Sequence, residues 1–258
     1  MGGGSKMQLT PLTFIIVCPL LFLAGFVDSI GGGGGLISLP AYLFAGLPIH
    51  MAIATNKMSS TCGTSLATGR FIKNRLVNLK LAVPSVVFAV LGSSLGARLS
   101  MRVSENVMKM VLLIVLPVSA FFVLNRHLFP EREETAVKLD TRTYVTAIVS
   151  AFVVGIYDGF YGPGTGTFLI IAFTVFARLS VGTANAQAKV INLTTNVTSL
   201  IIFLLHGQVL LPLGLAAGAS NMVGNYIGSG LVMKKGTGIV RPIILVVLVL
   251  LLIKVIFE

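Results

Sequence analysis

The chain has no tryptophan, and it is poor in cysteine, histidine and charge. It contains no Trp, two Cys and three His among 258 residues, and only 10% of its residues are charged. Cys18 and Cys62 both lie in apolar stretches, so we do not expect a disulfide framework. The three His lack the spacing of metal ligands. The sequence therefore predicts neither a metal nor another cofactor.

The chain is rich in long apolar runs. Hydrophobic residues make up 55% of it, and several runs reach the roughly 20 residues that a helix needs to cross a bilayer. The apolarity is continuous and does not alternate within strands of about ten residues, which favours helices over an outer-membrane barrel. The sequence therefore predicts an all-α polytopic membrane protein.

The basic residues do not indicate nucleic-acid binding, although the formal net charge is +11. They occur in short clusters between apolar runs, as at Lys73, Arg75 and Lys80. Such clusters are typical of the cytoplasmic loops of membrane proteins. We therefore expect the lipid bilayer, and no nucleic acid, as the large partner of this chain.

Ten apolar segments are predicted, five on each side of a polar connector at 126–141. The first five lie at about 11–30, 36–47, 49–72, 80–101 and 104–125, and the second five at about 142–161, 167–177, 182–206, 209–233 and 237–257. Residues 1–6, MGGGSK, are interpreted as a remnant of cloning. The chain then divides into a first half at 7–125 and a second half at 142–258.

The two halves are predicted to be homologous five-segment repeats. Asp28 recurs 130 residues later as Asp158, and Lys57 recurs 132 residues later as Lys189. The glycines follow the same offsets, with Gly25, Gly32 and Gly34 matching Gly155, Gly162 and Gly164. We infer that one ancestral half was duplicated.

An odd number of crossings in each half makes the halves inverted relative to each other. With ten crossings, alternate loops collect most Lys and Arg on one side, which places the connector in the cytoplasm and both termini outside. The segments at 36–47 and 167–177 are nevertheless short for about 30 Å of hydrocarbon. If they dip in and return, the chain makes eight crossings and the halves are parallel. The charge asymmetry favours the inverted arrangement.

The two short segments are also the predicted binding site, because each follows a glycine-rich break. Breaks at matching places in two halves mark binding sites in transporters. A helix that restarts there directs free amides and its positive end at a ligand, which suits an anion. Alternatively, the glycines only allow close helix packing. The residues concerned are Gly33, Gly34, Gly35, Gly164, Thr165 and Gly166.

Two aspartates and two lysines lie beside these breaks or inside a span. Asp28 and Asp158 precede the breaks, and each lysine lies about 10 Å deep. An intramembrane charge is costly and is therefore a functional candidate. Helical spacing extends the lysines into two polar faces. These faces consist of Lys57, Ser60, Thr64 and Thr68 in the first half, and Lys189, Asn192, Asn196 and Ser199 in the second.

A purely structural alternative explains the same residues. In it, each lysine pairs with the aspartate of its own half, Lys57 with Asp28 and Lys189 with Asp158, and the polar faces join helices. The two explanations are compatible if an ion pair opens to admit a substrate.

Four stretches resemble the TauE/SafE family, the sulfite exporter or 4-toluene sulfonate uptake permease family: GFVDSIGGGGGLISLP, AIATNK, GIYDGFYGPGTGTFLI and ANAQAKVINLTTN. The resemblance covers essentially the whole chain after Met7. It implies a prokaryotic inner-membrane carrier for sulfite, thiosulfate or small organosulfonates such as sulfoacetate. It also implies that Asn56, Lys57, Gln187 and Lys189 lie around the anion.

The leading hypothesis is a secondary transporter that exports a small sulfur-containing anion. The lysines supply positive charge, and Ser60, Thr64, Asn192 and Asn196 supply hydrogen bonds. Asp28 and Asp158 either orient the lysines or carry a coupling proton. A passive anion channel is the first alternative. An intramembrane aspartyl protease is a weaker one, because the lysines have no place in its mechanism. A homo-oligomer is left open.

Overall fold

The computed structural model describes residues 9–124 and 139–235, and in these ranges it is all-helical, as predicted. The tenth predicted segment, 237–257, and most of the connector lie outside the described residues. Nine helices are present in the described part: α1 Pro11–Gly31, α2 Gly35–Phe44, α3 Ile49–Lys73, α4 Leu79–Ser100, α5 Glu105–Leu124, α6 Thr141–Phe160, α7 Thr165–Val175, α8 Val181–Leu205 and α9 Leu211–Lys235.

The helices differ in length and apolarity, the two properties that a membrane-spanning helix needs. By length and composition, α1, α4, α6 and α8 are each long and apolar enough to cross a membrane. The short helices α2 and α7 have 10 and 11 residues, which corresponds to about 15 Å, or half the hydrocarbon thickness. The 25-residue helices α3 and α9 are less apolar, since they carry many polar and small side chains.

Local sequence explains where the helices begin and end. α1 has Pro11 at its first position and ends at Gly32, whose φ of 81° is the left-handed conformation that glycine adopts without strain. Gly164 has φ 86° and precedes α7. Asp140 caps α6, because its carboxylate accepts a hydrogen bond from the Thr143 amide at 2.8 Å. That hydrogen bond lowers the pKa of Asp140.

Contacts between the two halves form the centre of the molecule. α3 contacts α8, α1 packs against α9, and α4 packs against α6. Glycines allow the closest approaches, since a Cβ at Gly92 or Gly96 of α4 would collide with the α6 backbone, and one at Gly224 of α9 would collide with α1. The backbones therefore approach closely without large side chains between them, as in other membrane helix pairs.

The outer faces of these helices are apolar. Val83, Val87, Leu91 and Leu95 follow one another at four-residue spacing on α4, and each is more than half exposed. Val145, Val149 and Val153 form a similar row on α6. Exposed apolar rows of this kind suit a lipid environment, where no polar face is needed.

Helix lengths follow a common order on the two sides of the connector. They are 21, 10, 25 and 22 residues for α1 to α4, and 20, 11, 25 and 25 residues for α6 to α9. The relation of the halves as repeats, and the number of crossings, stay predictions from the sequence.

Candidate functional site: a buried polar cavity between two broken helices

The two glycine breaks touch each other. A Cβ added to Gly166 would lie 2.6 Å from the Cα of Gly32, so the two backbones are in direct contact. Thr167 Oγ1 donates to the Gly31 carbonyl at 2.9 Å, and Asn185 Nδ2 donates to the Ser29 carbonyl at 3.2 Å. The last carbonyls of α1 thus accept hydrogen bonds from the second half, as a buried helix end requires.

Both buried lysines form ion pairs, and each pair joins the two halves. Lys57 Nζ lies 2.9 Å from Asp158 Oδ2, and both side chains are 2% exposed. Lys189 Nζ lies 2.6 Å from Asp28 Oδ2. The expected alternative, in which each lysine pairs with the aspartate of its own half, is therefore wrong. The breaks meet at Gly32 and Gly166, and each lysine side chain reaches across this contact to the aspartate of the other half.

The two ion pairs have different surroundings. Lys189 also donates to the backbone carbonyl of Asp28, so this lysine holds the end of α1 by two bonds. Lys57 has Asp158 as its ion-pair partner, and Asp158 Oδ1 accepts a hydrogen bond from Thr165 Oγ1 at 2.6 Å. Lys189 therefore holds a helix end through side-chain and backbone bonds, whereas the ion pair of Lys57 involves the Asp158 side chain.

A polar cavity of about 20 Å³, counted as space open to the centre of a water molecule, lies beside Lys57. That is room for one or two water molecules. Its walls come from α1, α2, α3, α6, α7, α8 and α9. The lining residues are Asp28, Gly32, Gly34, Gly35, Ser38, Asn56, Lys57, Ser60, Asp158, Gly162, Gly164, Thr165, Gly166, Asn192, Asn196 and Asn221.

Most of the site residues predicted from the sequence line this cavity. They are Asp28, Gly34, Gly35, Asn56, Lys57, Ser60, Asp158, Gly164, Thr165, Gly166, Asn192 and Asn196. Four predicted residues do not line it. Gly33 lies in the turn before α2, where its carbonyl accepts from Leu36 N. Gln187 points elsewhere, donating to the Asn78 carbonyl at 3.0 Å. Thr64 is buried in α3, and Lys189 holds the end of α1.

The two polar faces divide into a part at the cavity and a part between helices. Near the cavity, Asn196 Nδ2 donates to Asn192 Oδ1 at 3.1 Å. Further along, Thr68 Oγ1 donates to the Lys189 carbonyl at 3.2 Å, and Ser199 shares a hydrogen bond of 2.7 Å with Ser93 of α4. The structural interpretation of the polar faces therefore holds for Thr68 and Ser199.

Sequence reasoning missed Ser38 and Asn221. Ser38 Oγ is buried in α2, and it has no hydrogen-bond partner within the described residues. Asn221 of α9 donates to the Leu21 carbonyl at 3.0 Å and accepts from Asn225 at 2.8 Å. Ser38 interrupts the apolar helix α2, and Asn221 is a buried polar residue of α9. Buried polar residues in membrane helices are functional candidates in their own right. Neither residue is charged, and neither lies on α3 or α8, the helices of the two buried lysines.

The carboxylates of the cavity do not form a protease dyad. Asp28 and Asp158 each pair with a lysine and not with each other, whereas an aspartyl protease requires two carboxylates that share a proton. No group of His, Cys, Asp or Glu suited to a metal ion occurs in residues 9–124 and 139–235.

An all-α chain with membrane-length helices, two broken segments in contact and buried charges at the breaks belongs to the class of membrane transport proteins. A profile of the family described as "Sulfite exporter TauE/SafE" matches residues 17–255. The chain belongs to this family.

Curated relatives have the same class of name. The chain is 33% identical over 246 residues to "Probable membrane transporter protein YfcA" of Escherichia coli, covering 94% of this chain and 89% of the relative. It is 34% identical over 238 residues to a "Probable membrane transporter protein" of Haemophilus influenzae, covering 92% of each. A third relative, "Probable membrane transporter protein ORF9" of Sinorhizobium sp, is 34% identical over 247 residues. No solved structure matches the chain significantly.

Proposed function

We propose that the protein is a secondary transporter of a small sulfur-containing anion, such as sulfite, thiosulfate or an organosulfonate. One observation carries the proposal. The ammonium group of Lys57 lies almost fully buried at a polar cavity between two broken helices. A cation at this depth is costly unless it serves a ligand or a partner charge.

The neighbours of Lys57 suit an oxyanion. Gly34 and Gly35 line the cavity at the first turn of α2, where the positive end of the helix dipole lies. The side-chain amides of Asn192 and Asn196 and the hydroxyl of Ser38 add donors on other walls. Donors that converge from several directions match the three oxygens of a sulfite or sulfonate group.

The size of the cavity supports a carrier over an open channel. A sulfonate group has more heavy atoms than the one or two water molecules for which the cavity has room. The anion therefore enters only if a side chain or a helix moves. The Lys57–Asp158 ion pair lies at the cavity, so it is the contact that we expect to open. A passive anion channel needs a continuous wet path instead.

The proposed architecture follows from the sequence pattern and the contacts between halves. Two inverted repeats of five segments cross the inner membrane ten times, with the connector in the cytoplasm. The crossed ion pairs and the contact of Gly32 with Gly166 then lie at the repeat interface, where carriers of this kind bind their substrates. Transport proceeds by movement of one half against the other, in the export direction that the family resemblance implies.

Thermal shifts test the anion site directly. Purified protein is heated with sulfite, thiosulfate, methanesulfonate, acetate or chloride, because a ligand of the native state raises its stability. We expect a selective rise with a sulfur oxyanion or sulfonate, and loss of that rise in Lys57→Met. Lys109→Met removes an exposed lysine of α5 by the same substitution and is the matched control.

Two further measurements complete the test. The double variant Lys57→Met, Asp158→Asn removes both buried charges, so its loss of binding is not an effect of an unpaired aspartate. Counterflow of a labelled sulfonate in proteoliposomes separates a carrier from a channel. Binding that survives in folded Lys57→Met protein would contradict the site, and flux without saturation or counterflow would favour the channel.

A further inference from the structure

The site contains two lysines and two aspartates, which balance each other in charge. Lys57 pairs with Asp158, and Lys189 pairs with Asp28. A monovalent anion that enters on Lys57, such as a simple sulfonate or hydrogen sulfite, adds one negative charge to a region where the side chains of both pairs are largely excluded from solvent. A buried charge without compensation is strongly unfavourable. A positive charge must therefore enter together with the anion.

We propose that Asp158 is the proton-carrying group of the transport cycle, a role that rests on the proposed function. The anion takes the place of the Asp158 carboxylate on the Lys57 ammonium, and the displaced carboxylate binds one proton from the aqueous side that is open at that moment. Before this step the two lysines and two aspartates sum to zero. After it, two lysines, one ionised aspartate and one monoanion again sum to zero.

The surroundings of Asp158 suit its protonated form. Thr165 Oγ1 lies 2.6 Å from Asp158 Oδ1 and 2.7 Å from the Gly162 carbonyl oxygen. A hydroxyl has one hydrogen and two acceptor positions, so it serves only one of these two acceptors at a time. Once Asp158 is protonated, its O–H donates to Thr165 Oγ1, and the threonine donates to Gly162. Protonation thus satisfies both acceptors in one chain of hydrogen bonds.

Asp28 lacks this arrangement. The position that corresponds to Thr165 in the first half is Gly35, 130 residues earlier, which has no hydroxyl. Lys189, the partner of Asp28, bonds to both the carboxylate and the backbone carbonyl of that aspartate and does not line the cavity. An anion in the cavity therefore reaches Lys57 and not Lys189, and the Lys189–Asp28 pair stays closed.

Few other titratable or charged groups face Asp158. Lys57 on α3 contacts it directly, and Asp28 on α1 lies across the cavity. Tyr157 and Tyr161 precede and follow it on its own segment. The packed helices add little, since α7 has no charged residue, α8 carries only Lys189, and α4 carries Lys80 and Arg98 near its ends. Asp158 is thus the carboxylate that the anion displaces.

Proton uptake on anion binding tests the proposal. The probe is methanesulfonate, whose single charge does not change between pH 5 and 9, so any pH effect belongs to the protein. Titration calorimetry in two buffers of different ionisation enthalpy counts the protons bound with each anion. We expect about one proton per anion and an affinity that rises as pH falls, by up to about tenfold per pH unit.

Variants of the carboxylates identify the residue that binds the proton taken up with the anion. Asp158→Asn imitates the protonated acid, so we expect it to bind methanesulfonate with less than twofold change between pH 6 and 8 and to take up no proton. Asp158→Glu keeps an ionisable group and restores the uptake. Glu105→Gln neutralises an exposed carboxylate of α5 and serves as the matched control with unchanged stoichiometry.

Failure of the proton role can be distinguished from failure of the proposed anion transport. Binding by the wild-type protein without proton uptake, or only with Na⁺ as the added cation, overturns the proton assignment and needs no variant to interpret. Proton uptake that disappears in Asp28→Asn but persists in Asp158→Asn overturns the choice of aspartate. Absence of any anion binding by folded wild-type protein overturns the proposed function, and the proton role with it.

Discussion

At the scale of residues, the crossed ion pairs are the feature with the largest energetic consequence. Each charged side chain is stabilised by its partner, because a charge buried in apolar surroundings is tolerated only when it is paired. The pairs also decide which residues meet the cavity. Lys57, which lies at the cavity, and Lys189, which holds the end of α1, have the same position in the predicted repeat but different surroundings.

A double-mutant cycle on Lys57 and Asp158 measures the first pair. Lys57→Met alone leaves a buried aspartate unpaired, so we expect it to lower the free energy of unfolding by about 3–5 kcal/mol. Adding Asp158→Asn removes the second charge and recovers most of that loss. Reversible unfolding in detergent, followed by circular dichroism, is the measurement. Additive losses in the double variant would show that the two side chains do not interact.

At the scale of elements, the contact between the two broken segments holds the cavity together. Gly32 and Gly166 touch through their backbones, and Gly32 also has φ 81°, so neither position has room for a Cβ. Hydrogen bonds from Thr167 and Asn185 to the end of α1 maintain the same contact. The broken helices are therefore positioned by one another.

Alanine substitutions test this contact, with a helix glycine that has open space around it as the control. Gly166→Ala places a methyl group against Gly32, and we expect loss of anion binding together with a fall in melting temperature. Gly69→Ala is the control, because nothing lies within 4 Å of a Cβ there, and alanine is the better helix former by about 0.5–1 kcal/mol. Equal melting temperatures for the two variants would contradict the close contact.

At the scale of the whole molecule, the inverted arrangement of the halves makes a prediction about sidedness. Asn74 and His206 directly follow α3 and α8, and they are 132 positions apart. In inverted halves they face opposite sides of the membrane. In parallel halves they face the same side.

Cysteine labelling in cells distinguishes the two topologies. In a background without Cys18 and Cys62, Asn74→Cys and His206→Cys are treated with a membrane-impermeant maleimide. We expect His206→Cys to react in intact spheroplasts, and Asn74→Cys to react only after permeabilisation, since its loop carries Lys73 and Arg75. Reaction of both residues from one side would establish parallel halves and refute the inverted arrangement.

The helices and the places where they break could be predicted from the amino-acid sequence alone. Each of the nine predicted segments within the described residues is a helix, with ends within a few positions of those expected. Apolar runs, helical spacing and glycines are local properties of the chain, so they are readable without contacts. The buried charges were found in the same way, because a Lys or Asp among apolar residues stands out wherever the helix packs.

Which residues meet could not be predicted, because it depends on contacts between distant helices. Packing between helices distant in sequence pairs Lys57 with Asp158 and directs Gln187 to the Asn78 carbonyl, outside the cavity. It also brings Ser38 and Asn221 into the cavity wall. The repeat places Lys57 and Lys189 at equivalent positions. Packing gave them different surroundings, because Lys189 also bonds to the backbone carbonyl of Asp28, whereas Lys57 lies at the cavity.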